Sequence, residues 1–513
     1  MTATDLSLPD AAPVASFEDP GAMALSRVGV VDVGSNSVRM VVFDGAARSP
    51  AYYYNEKLMC ALGAGVRETG KLNPKGRERA IQAIIRFQAV AKSLGIEPLS
   101  AVATAAVREA EDGPDFKQAI HDATGLDLRV IDGPEEARLS AQGVLLGWPG
   151  SFGLVCDIGG SSMELATIAD GKVGKCLTSE LGPLRLKGIK GGRKARTAYI
   201  KETVQRLSDQ LGPQSDRLFL VGGSWRAIAK IDMIRRGYPL HVLHEYRMSV
   251  KNARETIKFI RKTDVDELQA MSGNSPARMA LVPIAAEVLS RLLKTFKPAD
   301  IAVSSYGIRE GLLYEKMPDH VREMDPLIES CRFSEFKDAR IPGFGDVLYD
   351  FVMPLFKSRP KRWRRIIHAA CLLHDVSWRA HPDYRADTCF DNATRANLGG
   401  LKHSERVFLG LALLHRYKNK REGNRFESLA KLLPENDLHK AEVLGKAMRF
   451  GAMMWMQSDD MPGKFKWHPR KRLLVLHLAD SARPMFGEVA QARLNSLAET
   501  LGAEVKVKRL KDD

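Results

Sequence analysis

Several features that define common classes of protein are missing from this sequence of 513 residues. No apolar run approaches the ~18–20 residues needed to cross a bilayer, so we expect no membrane partner. The cysteines show no CxxC spacing, which favours reduced core thiols in a cytoplasmic protein over disulfides. Residues 1–26 lack a basic segment followed by an apolar core, and we interpret them as a flexible tail. No GxxxxGKS or GxxxxGKT segment occurs, which excludes a P-loop.

Aromatic residues make up only 7% of the chain, whereas basic residues are in excess. Lys and Arg number 77 against 62 Asp and Glu, which gives a formal net charge of +15. This charge favours a polyanionic partner, although a basic surface can also serve solubility alone. Because the basic runs are not interleaved with aromatic residues, we expect binding of bare phosphate, and nucleic acid is a less favoured partner.

Two short stretches repeat one pattern: an apolar run, an aspartate, a Gly/Ser turn and a second apolar run. They cover residues 28–43 and 153–168, with Asp32 and Asp157 in equivalent positions. The exposed N–H groups and hydroxyls of such a turn form an anion cradle, and an aspartate at a strand end can hold Mg²⁺. One copy alone could be an ordinary tight turn. Two copies in register predict two similar lobes that face each other across a phosphate.

A helix start between these two stretches carries two carboxylates. Pro134 opens a helix, and Glu135 and Glu136 lie in its first turn. Glutamates at this place are favoured by the helix dipole alone. The functional alternative is that Glu135 points into the cleft between the lobes and acts as a general base. Arg108, near an earlier helix start, could hold a phosphate or form a surface salt bridge.

The composition changes near residue 317, where helical periodicity replaces the strand patterns and basic clusters become denser. These clusters lie at 357–365, 416–421 and 464–472. We therefore predict a first lobe over 27–145, a second lobe over 146–316 and a helical domain over 325–513.

The motifs of residues 27–315 resemble those of the exopolyphosphatase and guanosine pentaphosphate phosphohydrolase family, within the actin-like and sugar-kinase superfamily. The motifs that carry the resemblance are VGVVDVGSNSVRMVVFDG, AVATAAVREAEDG, VIDGPEEARLSAQGV, LVCDIGGSSMEL, LFLVGGSWRAIAKI and AVSSYGIREGLLY. The resemblance implies an α/β fold of two actin-like (ribonuclease H-like) lobes with an interlobe cleft. An all-α HD-like C-terminal domain would follow them.

The resemblance also implies roles for individual residues. Glu135 matches the family's catalytic base, and Asp157 and Glu164 match its magnesium ligands. The residues implied to bind phosphate are Ser35, Asn36, Arg108, Gly159, Gly160, Ser161, Ser162 and Arg278. Ser161 is a departure, since many members have glycine there, and its β-carbon would narrow the cradle.

In the C-terminal half, His374 and Asp375 resemble the central pair of an HD domain, and Asp480 could be its distal aspartate. We favour a degenerate HD fold without a metal, whose basic surface helps to hold a long polyanion.

The sequence thus predicts an exopolyphosphatase that uses Mg²⁺ and a glutamate-activated water to release orthophosphate from inorganic polyphosphate, as a cytoplasmic homodimer. The nearest alternative is hydrolysis of the 5′-phosphate of guanosine pentaphosphate in the stringent response. A superfamily kinase using ATP or polyphosphate is a second alternative. A phosphate or alarmone sensor whose HD-like domain binds nucleic acid is a third.

Overall fold

The first lobe is built on a five-stranded sheet. The computed structural model describes residues 27–46, 48–96, 99–357, 360–420, 426–454 and 462–509, so the predicted tail over 1–26 lies outside the described residues. The strands are β1 (Arg27–Val33), β2 (Ser37–Ala46), β3 (Ser49–Met59), β4 (Ser100–Ala103) and β5 (Leu128–Val130), in the order β3-β2-β1-β4-β5. Strands β1 and β2 form an antiparallel hairpin, and β4 and β5 run parallel to β1.

The helices between β3 and β6 are α1 (Val66–Thr69), α2 (Pro74–Ser93), α3 (Ala105–Glu109), α4 (Gly113–Thr124) and α5 (Gly133–Gly147). The longest of them, α2, packs on the first sheet through an apolar face. Helix α2 begins where the Asn73 side chain accepts a hydrogen bond from the Gly76 amide, and Ile84 and Phe87 are among its buried residues. Burial of this face, rather than intrinsic helix propensity, therefore holds α2 on the sheet.

The second lobe repeats the arrangement with six strands. They are β6 (Gly153–Ile158), β7 (Met163–Ala169), β8 (Lys172–Ser179), β9 (Arg217–Val221), β10 (Tyr246–Met248) and β11 (Asp300–Val303), in the order β10-β11-β9-β6-β7-β8. Its helices are α6 (Pro183–Lys187), α7 (Gly192–Leu211), α8 (Gly223–Arg235), α9 (Val250–Lys262), α10 (Val265–Ser272), α11 (Pro276–Met279), α12 (Val282–Thr295) and α13 (Ile308–Glu315). The β6–β7 hairpin corresponds to β1–β2, and β9 lies parallel to β6 as β4 lies to β1. The predicted mixed α/β fold is confirmed.

Two helices cross between the sheets and join the lobes. Helix α5 packs against β6, β7, β8 and α13, and it runs through the predicted lobe boundary at 145/146. The crossing is close: a β-carbon at Gly143 would lie 2.2 Å from the Gly307 carbonyl oxygen, and one at Gly311 would lie 1.9 Å from that of Leu139. Only glycine allows backbones to approach so closely. One apolar cluster accordingly contains residues of both sheets, such as Val30 and Val155.

The C-terminal part is mainly helical but also contains a sheet. Its helices are α14 (Asp319–Glu323), α15 (Pro326–Asp338), α16 (Phe344–Val352), α17 (Lys361–Leu372), α18 (Arg385–Arg395), α19 (His403–His415), α20 (Glu427–Ala430), α21 (Glu435–Gly451) and α22 (Glu488–Leu501). Short 3₁₀ turns occur at Met353–Phe356, Pro469–Lys471 and Asp480–Met485. No helix within the described ranges is both long enough and apolar enough to span a membrane.

The prediction of an all-α C-terminal domain is wrong for residues 463–509. Strands β12 (Gly463–His468), β13 (Leu473–Leu478) and β14 (Glu504–Arg509) form a three-stranded sheet in the order β12-β13-β14. In β12 and β14, lysines alternate with apolar residues. This period of two predicts a strand with one solvent-exposed face. The high lysine content of the segment hid that alternation.

The C-terminal part packs directly on the lobes. The Tyr306 hydroxyl donates to the Asn397 side-chain oxygen at 3.1 Å. Buried Arg48, in the turn after β2, donates to the carbonyl oxygens of Leu146 (2.6 Å) and Met324 (3.1 Å). Burial lowers the pKa of Arg48 to about 10. One guanidinium therefore joins the first lobe, the end of α5 and the start of the C-terminal part.

We expect Arg48→Met to lower the free energy of unfolding by about 3 kcal/mol, because it leaves buried carbonyl groups without a donor. Chemical denaturation followed by circular dichroism measures the change. Arg79→Met, which removes an exposed arginine, is the matched control and should change stability by under about 0.5 kcal/mol. Equal losses for the two variants would contradict the bridging role of Arg48.

Candidate active site

A cleft with a volume of about 260 Å³ opens between the two lobes. Its walls are formed by the β1–β2 turn and the β6–β7 turn, together with the first turns of helices α3, α5, α8 and α13. Most of the predicted phosphate-binding residues line it, namely Ser35, Asn36, Gly159, Gly160, Ser161, Ser162 and Arg278. Sequence analysis therefore located the cleft, and phosphate binding by these residues stays a prediction.

The two Gly/Ser turns have the same internal geometry. The Gly34 amide donates to the Ser37 carbonyl, and the Gly159 amide donates to the Ser162 carbonyl, both at 3.0 Å. The turns also meet across the cleft, where the hydroxyl oxygens of Ser161 and Ser35 lie 3.4 Å apart. Ser161, the departure from glycine, is thus the residue through which the second turn contacts the first.

The structure places Glu136 in the cleft and Glu135 outside it, so the prediction that Glu135 points into the cleft is wrong. The Glu136 side chain is 7% exposed, whereas that of Glu135 is 31% exposed. Glu135 forms ion pairs with Arg129 (3.4 Å) and Arg138 (3.5 Å). It therefore belongs to a charged network on the outer side of α5.

Helical periodicity explains why Glu136, rather than Glu135, faces the cleft. Asp132 caps α5 by accepting a hydrogen bond from the Glu135 amide at 2.7 Å. On α5, Glu136 and Ser140 lie one turn apart on the buried face, and the Ser140 hydroxyl donates to Asp157. Glu135 shares its face with Arg138, three residues on, and both side chains are partly exposed. The pairs Glu136/Ser140 and Glu135/Arg138 are both visible in the sequence, so helical spacing could have distinguished the two glutamates.

Three carboxylates, those of Asp32, Glu136 and Asp157, line one end of the cleft, and that of Glu164 lies behind it. Asp32 and Asp157 end the first strands of their hairpins, and Glu164 lies opposite Asp157 on β7. Burial raises the pKa of Glu136 to about 8, and the charge of Asp157 adds to this increase, against the opposing effect of Arg108. Burial likewise raises the pKa values of Asp32, Asp157 and Glu164. In the free site, the surroundings therefore do not fully stabilise the ionised forms of these four carboxyl groups.

Arg108 and Glu164 lie behind the cleft rather than along it. Arg108 donates to the Ile131 carbonyl at 2.7 Å and lies 3.4 Å from a carboxylate oxygen of Glu136. It lines a neighbouring cavity together with Ser161. Glu164 is buried, and the Thr178 hydroxyl donates to its Oε1 at 3.2 Å. Arg108 therefore contacts the candidate base. It is not among the described residues that line the cleft, so its direct contact with phosphate stays a prediction.

Five cationic side chains line the rest of the cleft, and sequence analysis identified only one of them as part of the site. They are Arg39, Lys57, Arg226, Arg278 and Arg309. Burial, together with the charge of Arg309, lowers the pKa of Arg39 to about 10. Desolvation also lowers the pKa values of Lys57 and Arg226, and neighbouring arginines add to both shifts. The pKa of Arg309, which is buried, is in contrast raised by the charges of Glu310 and Asp32. Repulsion among closely placed, partly desolvated cations is typical of an anion site.

The missed cations come from separate parts of the chain. Arg39 and Lys57 are cross-strand partners on β2 and β3. Arg226 lies in the first turn of α8, and Arg309 in that of α13. Each helix follows a strand and a glycine turn, the pattern that brings a helix start to the same sheet edge as the cradle. That pattern was the available signal for the two helix arginines, whereas Lys57 needed the strand register.

The donor set fits a magnesium ion held partly by substrate. Asp157 lines the cleft, and the Oε2 atom of Glu164 is buried without a hydrogen-bond donor among the described residues. No group of three or more potential metal-binding side chains occurs within the ranges that the structure describes. Mg²⁺ commonly takes one or two carboxylates and completes its shell with phosphate oxygens and water. The chemistry of Asp157 and Glu164 agrees with that requirement.

The residues predicted to form an HD-type pair are engaged in protein contacts. His374 and Asp375 follow helix α17, and His374 is fully buried. Asp375 accepts hydrogen bonds from the backbone amide (3.2 Å) and the Nε atom (2.9 Å) of Arg340. Asp480 forms an ion pair with Arg509. An HD-like character of this part stays a prediction.

Taken together, two lobes with matched hairpins and a cation-lined cleft define an anion-handling α/β protein of the two-lobed type. The family model described as the Ppx/GppA phosphatase family matches residues 41–320, and that described as exopolyphosphatase, C-terminal, matches residues 359–507. The chain belongs to the Ppx/GppA phosphatase family and is a hydrolase of phosphoanhydrides.

Curated relatives match more than half of the chain. Exopolyphosphatase 1 of Mycobacterium tuberculosis is 29% identical over 323 residues, which are 59% of this chain and 92% of that protein. Exopolyphosphatase 1 of Mycobacterium leprae is 26% identical over 305 residues, 57% of this chain and 89% of that protein.

Solved structures support the fold. The Aquifex aeolicus member of the Ppx/GppA family aligns with a TM-score of 0.50 and 22% identity, over 56% of this chain and 97% of that chain. An exopolyphosphatase from Cytophaga hutchinsonii aligns with a TM-score of 0.52 and 23% identity, over 57% of this chain and 97% of that chain.

We expect Arg226→Met to reduce the stabilisation of the protein by inorganic phosphate at least twofold while leaving the phosphate-free protein no less stable. Arg226 is a partly buried cation whose pKa is lowered by desolvation and by the charges of Arg309 and Arg278, so its charge costs free energy until an anion arrives. Thermal unfolding with phosphate, and with NaCl at equal ionic strength, measures both effects. Arg79→Met, which removes an exposed arginine of α2 outside the cleft lining, is the control. An undiminished phosphate effect in Arg226→Met would refute the assignment.

Proposed function

We propose that the protein is an exopolyphosphatase that hydrolyses the terminal phosphoanhydride bond of inorganic polyphosphate with Glu136 as general base. The observation that carries the proposal is the position of Glu136, buried where the two Gly/Ser turns meet and facing a cleft lined by five cations. The substrate class is supported by the mycobacterial relatives, which are named exopolyphosphatase 1.

Glu136 has the environment that a base for water activation needs. A carboxylate with a pKa near 8 takes up a proton more readily than an ordinary glutamate, and catalytic bases work best with pKa values near the operating pH. In the proposed reaction, one water proton passes to Glu136 as the water oxygen attacks the terminal phosphorus. The bridging P–O bond breaks and its electron pair stays on the chain. The products are orthophosphate and a chain one unit shorter.

The cleft stabilises the charge of this reaction. Phosphoryl transfer needs positioning and electrostatic stabilisation rather than covalent catalysis. The turn amides around Gly34 and Gly159 and the hydroxyls of Ser35 and Ser162 would hold the terminal phosphate. The five cations would bind the next units of the chain, and the Arg108 guanidinium would orient the Glu136 carboxylate.

Mg²⁺ is the proposed cofactor, held by Asp157 with Glu164 next to it on the neighbouring strand. When bound, it would supply Lewis-acid neutralisation of phosphate oxygens. Ser140 donates to Asp157 and so orients that carboxylate.

The cleft lining favours an inorganic chain over a nucleotide. No aromatic side chain is among the described residues that line the cleft. Bases are commonly held by stacking on aromatic side chains, whereas a bare phosphate chain requires only charge and hydrogen-bond donors. This difference favours polyphosphate over guanosine pentaphosphate or ATP.

Orthophosphate release from long-chain polyphosphate is expected to fall at least ~10²-fold in Glu136→Gln, the usual scale for loss of a general base. Glu135→Gln is the matched control, one residue away on the outer face of α5, and is expected to retain activity within a fewfold. Colorimetric phosphate release with and without Mg²⁺ measures turnover, and circular dichroism verifies folding. Equal losses in the two variants would contradict the role of Glu136.

The same assay discriminates the alternatives. Faster release from guanosine pentaphosphate than from polyphosphate would assign the cleft to the nucleotide. ADP formed only when an acceptor is added would indicate a kinase. Duplex binding that weakens with salt, without phosphate release from either substrate, would indicate a sensor.

We expect kcat/KM for tripolyphosphate to rise with pH up to about 8, since Glu136 must lose its proton to act as a base and its raised pKa delays that loss. Higher Mg²⁺ should move this rise to lower pH, because a cation at Asp157 offsets the charge that helps to raise the pKa of Glu136. Initial rates over pH 5–9 at two Mg²⁺ concentrations test this.

The residual activity of Glu136→Gln is the control for the pH profile, since any pH dependence that persists there belongs to the substrate. A kcat/KM that is already at its plateau at pH 5, as expected for a glutamate with the ordinary pKa of about 4.3, would contradict the assignment.

A further inference from the structure

A second cavity lies between the lobes, behind the Gly/Ser turn of the β6–β7 hairpin. It has a volume of about 510 Å³, and we call it the rear cavity. Its walls come from helix α3 of the first lobe and from β8, α6 and α7 of the second lobe. Ser161 and Ser162 line both the cleft and the rear cavity. The turn that would hold the terminal phosphate is therefore a wall shared by the two cavities.

The other walls of the two cavities differ. None of the five cleft cations is among the described residues that line the rear cavity. Arg108 lines the rear cavity, and it lies 3.4 Å from a carboxylate oxygen of Glu136, which lines the cleft. One ion-pair contact thus connects the candidate base to the rear cavity.

The rear cavity contains more cationic than anionic side chains. Arg108, Arg185 and Arg206 line it against two carboxylates, those of Glu109 and Glu180. Arg206 is exposed and forms no ion pair within the ranges that the structure describes. Both contacts of Arg108 use its Nη1 atom, so its Nη2 atom has no partner in the described part of the chain. Two guanidinium groups thus keep donors for an anion.

The third guanidinium is held by contacts that an anion can replace. Arg185 pairs with Glu109 of the first lobe at 3.3 Å and with Glu180. Glu180 also accepts a hydrogen bond from the Tyr199 hydroxyl at 3.1 Å. The side chains of Glu109 and Glu180 are 41% and 55% exposed. Because exposed ion pairs contribute little free energy, a phosphate can compete with these carboxylates for Arg185.

The rear cavity continues towards the protein surface. An outer cavity of about 540 Å³ shares Glu180, Arg185 and Tyr199 with it. The outer cavity is also lined by Arg67 of α1 and by Lys190, and both of these cations are exposed. Cationic side chains therefore extend from the candidate base, through the rear cavity, to solvent.

This position suits a released product better than a substrate chain. In the proposed reaction, the shortened chain occupies the cation-lined side of the cleft when orthophosphate forms at the turns. Departure through the cleft would require the chain to leave first. The rear cavity offers the free orthophosphate cationic donors on the side away from the chain.

We propose that the rear cavity is an orthophosphate-binding site on the exit path of the product, which rests on the proposed function for the origin of its ligand. Arg206 and the Nη2 atom of Arg108 bind the phosphate, and Arg185 exchanges Glu180 for it. Orthophosphate and the shortened chain then occupy the protein together. The chain can keep its place while the product leaves.

The first experiment counts orthophosphate sites in the full chain without turnover. Equilibrium dialysis of radiolabelled orthophosphate is performed with EDTA at constant ionic strength. It is repeated with the cleft filled by a tripolyphosphate analogue whose bridging oxygens are replaced by methylene groups. The variants are Arg206→Met, Glu180→Gln and a matched control, Arg193→Met. Arg193 is an exposed arginine of the same helix, α7, and is not among the described residues that line the rear cavity.

Two orthophosphate sites are expected in the parent, and one of them persists when the analogue fills the cleft. In Arg206→Met the persisting site should bind at least about fivefold more weakly, since an exposed charge contact is lost. In Glu180→Gln it should bind about threefold more tightly, because Arg185 is freed from a competing carboxylate. Arg193→Met should bind as the parent does, and circular dichroism verifies that each variant is folded.

Product inhibition tests the exit role. Hydrolysis of radiolabelled polyphosphate is followed while unlabelled orthophosphate is added. Orthophosphate that binds beside a bound chain lowers kcat, whereas orthophosphate that competes for the cleft raises KM. Arg206→Met should weaken the effect on kcat at least about threefold and retain the effect on KM, because the lost contact belongs to the rear cavity alone.

Four outcomes would overturn the proposal: no orthophosphate binding once the analogue fills the cleft, unchanged binding in Arg206→Met, an equal loss in Arg193→Met, or an unchanged effect on kcat in Arg206→Met. Binding of two analogue molecules per protein would assign the rear cavity to the chain and equally contradict it. Because sites are counted without turnover, a parent that hydrolyses no polyphosphate would defeat the proposed function and leave the binding test intact.

Discussion

The close crossing of α5 and α13 is the contact on which the site depends. Gly143 faces the Gly307 carbonyl and Gly311 faces that of Leu139, at separations that leave no room for a β-carbon. Glu136 lies on one helix of this pair, and Arg309 lies in the first turn of the other. Because backbone touches backbone, the spacing between the base and the cation side of the cleft does not depend on side-chain packing. The two hairpin turns therefore lie against a helix pair, α5 and α13, whose spacing is fixed by backbone contact. We call this helix pair the frame.

This frame holds charges in an arrangement that the free protein does not favour. The cleft carboxylates have raised pKa values and Arg39 and Arg226 have lowered ones, whereas nearby carboxylates raise the pKa of Arg309. In the proposed reaction, an anion would stabilise cations such as Arg226, and a metal ion would stabilise carboxylates such as Asp157. Binding of a phosphate chain together with Mg²⁺ would relieve both kinds of repulsion. The crowded charges would thus destabilise the free protein but increase its affinity for a phosphate chain with Mg²⁺. They would also give the proposed base, Glu136, a suitable pKa.

Short sequence patterns predicted the local features of this site, but not the features that depend on strand register or helical phase. The Asp-x-Gly turns after β1 and β6 are short-range patterns, and the sequence predicted their facing positions. Glu135 was chosen over Glu136 because the motif was weighed without the helical phase that pairs Glu136 with Ser140. Lys57 enters the cleft through its register with Arg39, which no short pattern encodes. The C-terminal strands were missed because lysines at every second position concealed a period of two.

The C-terminal part also contributes to the frame. The segment from Ser304 to Gly307 connects β11 to α13, and Gly307 lies at the helix crossing. Tyr306 in this segment packs against His244 with the rings tilted and their centroids 4.4 Å apart, and its hydroxyl donates to Asn397 of the C-terminal part. The Glu310 carboxylate, in turn, accepts from the Gly307 amide at 2.7 Å and from the Tyr52 hydroxyl of the first lobe at 2.7 Å. One short segment therefore receives contacts from both lobes and from the C-terminal part.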